Sequence, residues 1–433
     1  MSRRRCRHWA VRFCVLLLLA ACASATNAAA QLAPVEQAIV GHVEAGREAA
    51  IHLLARSVDV ASATENHVGV RQVADLYAAE LRTLGFEARW VDQAAVGRAG
   101  HLVAEHRGRQ GKRLLLIGHL DTVLQGEPWR REGSRGYGSG TSDMKGGNAI
   151  LIDALRALDH AGALEDRQVI VVLTGDEEDT GKPYEVSRAA LVEAAKRSDI
   201  ALGFEGYEPD TAVVGRRGFS SWRLEVTGSQ GHSSTIFGED RGSGAIFEAA
   251  RILAAFHEEL REPYLTYNPS VVLGGTEVAY DPATFGGSAS GKTNVVPRRA
   301  IVEGDMRFLS RDQLERAREK MRAIVARSLP QTSATIAFTD GMPSMEPTEG
   351  NRALLAVIDQ VSRDLGAGPI EAHDPSKRGA GDISFVATLV SGLDGLGALG
   401  KNEHAPGEYA DLDAVAVLTK RAAVLMHRLL WPR

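Results

Sequence analysis

Five short stretches of this sequence place histidine and carboxylate where they could work together. "LLLIGHLDTV" sets His119 and Asp121 two residues apart, on one face of an extended segment. "GSGTSDMKGG" puts Asp143 in a Gly-rich turn that opens a helix, and "VIVVLTGDEED" ends an apolar run with Asp176, Glu177, Glu178 and Asp179. "IALGFEG" adds Glu205 beyond another apolar run, and "GKNEHAPGE" adds His404 in a late loop. A charge run is usually a solvated surface, and a lone histidine is usually structural. Four adjacent acids, however, repel and raise one another's pKa unless cations sit among them.

The ligand count supports cations. If Asp143 bridges two metal ions, His119, Glu178, Glu205 and His404 leave each ion with one His, one Glu and half of the Asp. A shared water then completes four-coordination at both. Two divalent ions against three carboxylates and a hydroxide are neutral. Nitrogen and oxygen donors in this ratio suit zinc, with cobalt or manganese as alternatives. Two acids remain for other work. Asp121 can orient His119 through its far ring nitrogen, and Glu177 can act as general base and then protonate a leaving amine. Together these roles describe hydrolysis of an amide.

The surrounding pattern supplies elements to hold these residues. Helices are expected over 34–57, 68–84, 148–161, 184–197 and 351–365. Strands are expected at "EARWVD", "HLVAEHR", "RLLLIGHL", "RQVIVVLTG" and "DIALGFE". Apolar runs without alternation, separated by helices, indicate an α/β sheet covered on both faces. Ligands of such sheets bind beyond the C-terminal strand ends. From about Arg217 the pattern changes. An alternating strand "SSWRLEVTG", a helix at 241–260, strands at 270–280 and 295–309, a helix at 311–329 and a strand at 333–339 read as a ferredoxin-like βαββαβ unit. The expected division is a leader at 1–30, catalytic segments at 31–216 and 344–433, and an inserted unit at 217–343.

The first thirty residues read as an export signal: a basic start, the apolar "FCVLLLLAA" and a small-residue stretch. Leu19-Ala20-Ala21-Cys22 is similar to a bacterial lipobox, while the alanines before Gln31 offer ordinary cleavage. The expectation is a periplasmic protein, either lipid-anchored or freely secreted. All three cysteines, Cys6, Cys14 and Cys22, lie in this leader, which leaves no thiolate ligand for the folded part. With the five leader arginines removed, 45 bases stand against 55 acids, a formal −10 that disfavours nucleic-acid binding.

Taken in order, "GHLDTV", "GSGTSDMKGG", "DEE", a glutamate after a strand and a late His resemble the two-zinc metallopeptidase family. That family includes glutamate carboxypeptidase, acetylornithine deacetylase, succinyl-diaminopimelate desuccinylase and aminoacylase. The resemblance runs from about residue 34 to the end. It implies a zinc-peptidase-type catalytic domain with a central mixed sheet, an inserted dimerisation or lid domain, a homodimer, and a cis peptide after Asp143. It also implies that His232 in "TGSQGHSS" reaches a partner's active site to stabilise an oxyanion. Asn294 in "GKTNVVP" and Arg307 in "GDMRFL" would contact the substrate's carbonyl and free carboxylate, the latter through a bidentate fork. The substrate implied is a small peptide or N-acyl amino acid.

One departure is "RGAGDISF" around Asp382, where the family usually has Ser or Thr before the Asp. Asp179 is expected only to meet solvent or a helix N-terminus. The competing readings are an N-acyl-amino-acid deacylase, a two-zinc aminopeptidase, and an exported binding lipoprotein on a peptidase fold. The aminopeptidases usually carry Asp as the fourth ligand and lack the insertion. The binding protein would be expected to lack the base or a ligand.

Overall fold

The structure is a computed structural model that describes residues 32–431. The leader expected at 1–30, with Cys22, lies outside the described residues. The larger sheet runs in the order Glu87–Asp92, Gly100–His106, Arg167–Thr174, Gln110–His119, Ile200–Gly203, Ser391–Leu393. Its first two pairings are antiparallel and the remaining three parallel. Both faces are covered, which explains the unbroken apolar runs. Leu114, Leu116, Val169 and Val171 pack toward the helices Pro34–Val58, Lys145–His160 and Leu412–Leu430. Their neighbours Leu115, Ile117, Ile170 and Val172 meet Leu191, Ala194 and Ile383 on the other side.

The parallel strands all finish at one edge. His119 pairs with Thr174 and Ile117 with Gly203, so the residues just past each strand emerge side by side. That register brings His119, the acid run and Glu205 to a common rim, with Asp394 beyond the last strand.

The second sheet is antiparallel, in the order Thr266–Gly275, Arg299–Phe308, Gly218–Gly228, Thr332–Asp340. Helices Gly244–Glu259 and Arg311–Val325 cover one face, so Gly218–Gly228 alternates buried and half-buried residues. It has its own core, in which Trp222 meets Phe256 edge to face. The chain enters and leaves this unit where Arg216 and Met345 exchange two backbone hydrogen bonds of 2.9 Å.

Three local expectations need correction. The strand expected at 270–280 ends at Gly275, and a separate hairpin, Glu277–Asp281 with Gly286–Ser290, follows it. Asp281 builds its turn by accepting from the Ala283 amide and the Thr284 hydroxyl. The helix expected at 184–197 is two pieces, Tyr184–Ser187 and Ala189–Lys196, parted at the buried Arg188. Helix Leu412–Leu430 is additional to those read from the sequence.

Candidate active site

Asp143 stands at the centre of the rim. Its Oδ1 lies 3.1 Å from His119 Nε2, and its Oδ2 lies 3.0 Å from His404 Nε2. Glu205 Oε1 is 3.7 Å from the same His119 nitrogen, and Glu178 Oε2 is 3.2 Å from the same His404 nitrogen. The five side chains therefore divide about the two oxygens of one carboxylate. In each triple, His119–Asp143–Glu205 and Asp143–Glu178–His404, the donor atoms lie within 4.8 Å of one another.

The turn that presents Asp143 is held from below. The buried Glu408 accepts the amides of Gly140 at 2.7 Å, Ser142 at 2.8 Å and Asp143 at 3.0 Å. The Asp143–Met144 peptide is cis, in agreement with the resemblance. Behind it, Gly146 and Gly147 let the helix approach its neighbours. A Cβ at Gly147 would stand 2.0 Å from the Phe204 carbonyl, and one at Gly146 would stand 2.3 Å from that of Thr141.

His119 is oriented by Asp121, chiefly through the backbone. Its Nδ1 lies 3.0 Å from the Asp121 carbonyl and 3.4 Å from Oδ1. Both acceptors favour a proton on Nδ1, which leaves the Nε2 lone pair facing Asp143. The buried Asp121 carboxylate has further partners. It accepts from the Thr64 hydroxyl at 2.7 Å and from the amides of Glu177 and Glu178 at 3.1 and 3.2 Å, so it also fixes the acid run.

The four acids of that run part company. Glu178 turns to His404, and Glu177 groups with His119 and Glu178. Asp176 turns inward to Arg188, with Nη1 to Oδ1 at 2.6 Å. Asp179 pairs with Arg98, which also donates to its backbone carbonyl at 2.6 Å, so the expectation of bare solvent is corrected.

Protonation follows from crowding. With only the protein's own charges present, burial and the Asp143 carboxylate push Glu205 up to about 8. Hydrogen bonds donated to the Asp143 and Glu178 carboxylates push His404 up to about 11 despite its partial burial. Burial raises Glu177 well above its ordinary range, with Glu205 adding to it. Glu178 Oε1 is buried without a hydrogen-bond partner. Packed carboxylates, histidine nitrogens aimed at them and an unpartnered oxygen together fit divalent cations.

The other three candidates lie in the second unit. His232 and Asn294 are neighbours, since the Ser233 amide donates to the Asn294 carbonyl and His232 pairs with Val295. Arg307 is close to Asn294 in sequence but far from the pair in space. It lies at the other end of its strand, eight residues from Arg299, roughly 26 Å at the usual rise. There it stacks on Phe219 beside the crossing at Arg216 and pairs with Thr266, which receives a hydrogen bond from Arg217. Arg217 also donates to the Ser376 carbonyl.

Two buried residues near Asp143 were missed from the sequence. Glu408 stands in the quoted "GKNEHAPGE" but carries no spacing signal of its own. Lys145 donates to the Val60 carbonyl at 2.9 Å, and burial pushes its ammonium down to about 7 despite Glu408, Asp121 and Asp59.

A mixed sheet that gathers two histidines and three carboxylates at its parallel strand ends, beside an antiparallel inserted unit, defines a hydrolase of the metallopeptidase class. The comparisons make this specific: the chain belongs to Peptidase family M20/M25/M40, whose profile matches residues 115–429. It is 26% identical to Carboxypeptidase G2 of Pseudomonas sp. (strain RS-16), covering 85% of this chain and 86% of the relative. It is 27% identical to succinyl-diaminopimelate desuccinylase of Stenotrophomonas maltophilia (strain R551-3), covering 82% and 93%. Among solved structures it resembles the Bacillus subtilis YXEP protein, described as a dinuclear metal-binding peptidase, with a TM-score of 0.63 and 16% identity. That similarity covers 89% of this chain and 99% of the other.

Proposed function

We propose that the protein is a zinc-dependent amidohydrolase of the carboxypeptidase kind, cleaving an amide next to a free carboxylate in a small peptide or N-acyl amino acid. The observation that carries this is the division of Asp143 between His119 with Glu205 and His404 with Glu178. One zinc ion per half would be held by those residues, with cobalt or manganese as alternatives. When bound, such a pair supplies Lewis acidity and lowers the pKa of a water toward neutrality.

The chain's own residues would do the rest. Glu177, its amide pinned by Asp121, takes a proton from the attacking water and delivers it to the leaving nitrogen. Arg307, at the crossing between the two sheets, receives the free carboxylate. The ring of His232 accepts the Ser234 amide at Nδ1, which leaves Nε2 to carry the proton and donate to an oxyanion. Asn294 beside it contacts the carbonyl. His232 and Asn294 stand at the far end of the strand from Arg307, so a second copy is the natural source of the pair.

A dimer through the inserted unit has a suitable surface. Phe237, Ile246, Phe247 and Val272 are exposed there, and Thr266–Gly275 is the edge strand of its sheet. Export to the periplasm, with or without a lipid on Cys22, is proposed from the leader sequence alone. N-acyl deacylation is the second reading, favoured by the desuccinylase relative.

The test is zinc-loaded mature protein assayed on N-acyl amino acids and dipeptides, each with a free and an amidated C-terminus. Free acids should be strongly preferred, and Arg307→Ala should weaken them far more than their amides. Equal turnover of both forms, or equal loss on both, would contradict carboxylate recognition.

A further inference from the structure

Neither the pairing of Asp176 nor that of Asp382 has a part in the reaction so far. Both carboxylates are buried, and both meet the same fully buried arginine. Arg188 donates from Nε to Asp382 Oδ1 at 2.7 Å and from Nη1 to Asp176 Oδ1 at 2.6 Å. Its Nη2 donates to the Asp176 carbonyl at 3.1 Å and the Thr180 hydroxyl at 3.2 Å. The remaining Asp382 oxygen is taken by the Thr174 hydroxyl, at the end of the strand that leads into the acid run. One planar guanidinium thus spans two segments 206 residues apart in the chain: the tip carrying Glu177 and Glu178, and the late loop "RGAGDISF".

The late loop has a second anchor of the same kind. Arg216, also buried, binds Asp394 at 2.6 Å and donates to the carbonyls of Gly379 and Ala380 at 3.1 and 3.2 Å. Asp394 Oδ1 accepts the Gly395 amide at 2.7 Å and lies 3.4 Å from the amide of Glu205. Residues 379–382 are therefore strung between two arginines: Arg188 holds the tip bearing Glu177 and Glu178, and Arg216 holds Asp394, which faces the amide of Glu205.

We propose that Arg188 is a positioning residue that locks the Glu177–Glu178 tip to the late loop, so that the base and that loop move as one body. This explains why the run begins with an acid that faces away from the centre. It also gives Asp382, in the loop where Gly381 stands in place of the usual Ser or Thr, a fixed structural partner. A guanidinium suits the task because its rigid fork holds two carboxylates at fixed angles, which an ammonium does not.

The proposal builds on the reading of Glu177 as base, so its test includes a readout independent of turnover. Asp382→Asn removes one charge of the clamp without touching residues 176–181 directly. Arg188→Lys keeps the charge and loses the fork, and the combination Arg188→Met with Asp176→Asn and Asp382→Asn leaves no unpaired charge if the single variants fold poorly. Amide hydrogen exchange, zinc content, kcat and KM are measured on each folded protein. In Asp382→Asn, exchange across 176–181 is expected to quicken at least tenfold. Its kcat should fall about tenfold, with KM within threefold and zinc content unchanged. Exchange in that segment at the parental rate, in a folded variant, would overturn the clamp. If exchange quickens in the variant while the parent hydrolyses none of the substrates above, the clamp stands and the proposed function fails.

Discussion

Asp143 organises the chemistry because its two oxygens face two different histidine–glutamate pairs, and the turn that aims it hangs on Glu408. Replacing Glu408 by Gln keeps the volume but removes the charge that gathers three amides. Metal affinity is expected to fall about 10–100-fold, as for other residues that orient ligands. Competition with a chromophoric chelator would read this, and unchanged affinity would contradict the role. At this scale much was legible. His119, Asp143, Glu178, Glu205 and His404 were readable because each follows an apolar strand or sits in a Gly-rich turn, and the structure brings all five together. What the sequence concealed was which acid of a run faces which way. Asp176 and Asp179 are the same residue type within four positions, yet one is buried against Arg188 and the other is paired with Arg98 at the surface. Only distant partners decide that.

Elements were legible where one face of each meets a core. The helix Pro34–Val58 and the strands Glu87–Asp92 and Arg167–Thr174 match the sequence pattern almost residue for residue. Leu412–Leu430 was missed for a physical reason: residues 421–426 are all buried, so its apolar period is washed out. That helix is tied to the first one by Arg428, which donates to Glu36 at 2.7 Å while Glu36 also accepts the Ala33 amide at 2.8 Å. Burial acts to raise the Glu36 pKa, but these bonds outweigh it and the net shift is downward. An acid depressed in the folded state stabilises above its ordinary pKa, and that contribution is lost as pH falls through the folded value. Arg428→Met should therefore cost about 2 kcal/mol near neutral pH. The gap to the parent should narrow below about pH 4.5. Denaturant titrations at pH 7 and pH 4 would show it, and a gap that widens in acid would contradict the assignment.

The whole molecule poses a question of distance. If Arg307, His232 and Asn294 hold the roles proposed for them, their places at opposite ends of the inserted sheet call for two copies, joined through the inserted unit, to complete one centre. The sequence placed Arg307 and Asn294 on neighbouring stretches, and only the antiparallel course of Arg299–Phe308 reveals their separation. The most direct test mixes two zinc-loaded variants, Glu177→Gln and His232→Ala, under conditions that exchange subunits. Each alone should lose roughly 10²–10⁴-fold in turnover. In a mixed dimer one site has both defects and the other has neither, so equal mixing should restore roughly a quarter of the parental rate. A mixture no faster than its components, once exchange is verified, would contradict a centre completed by two chains, and metal-loaded Glu177→Gln turning over at the parental rate would contradict the chemistry itself.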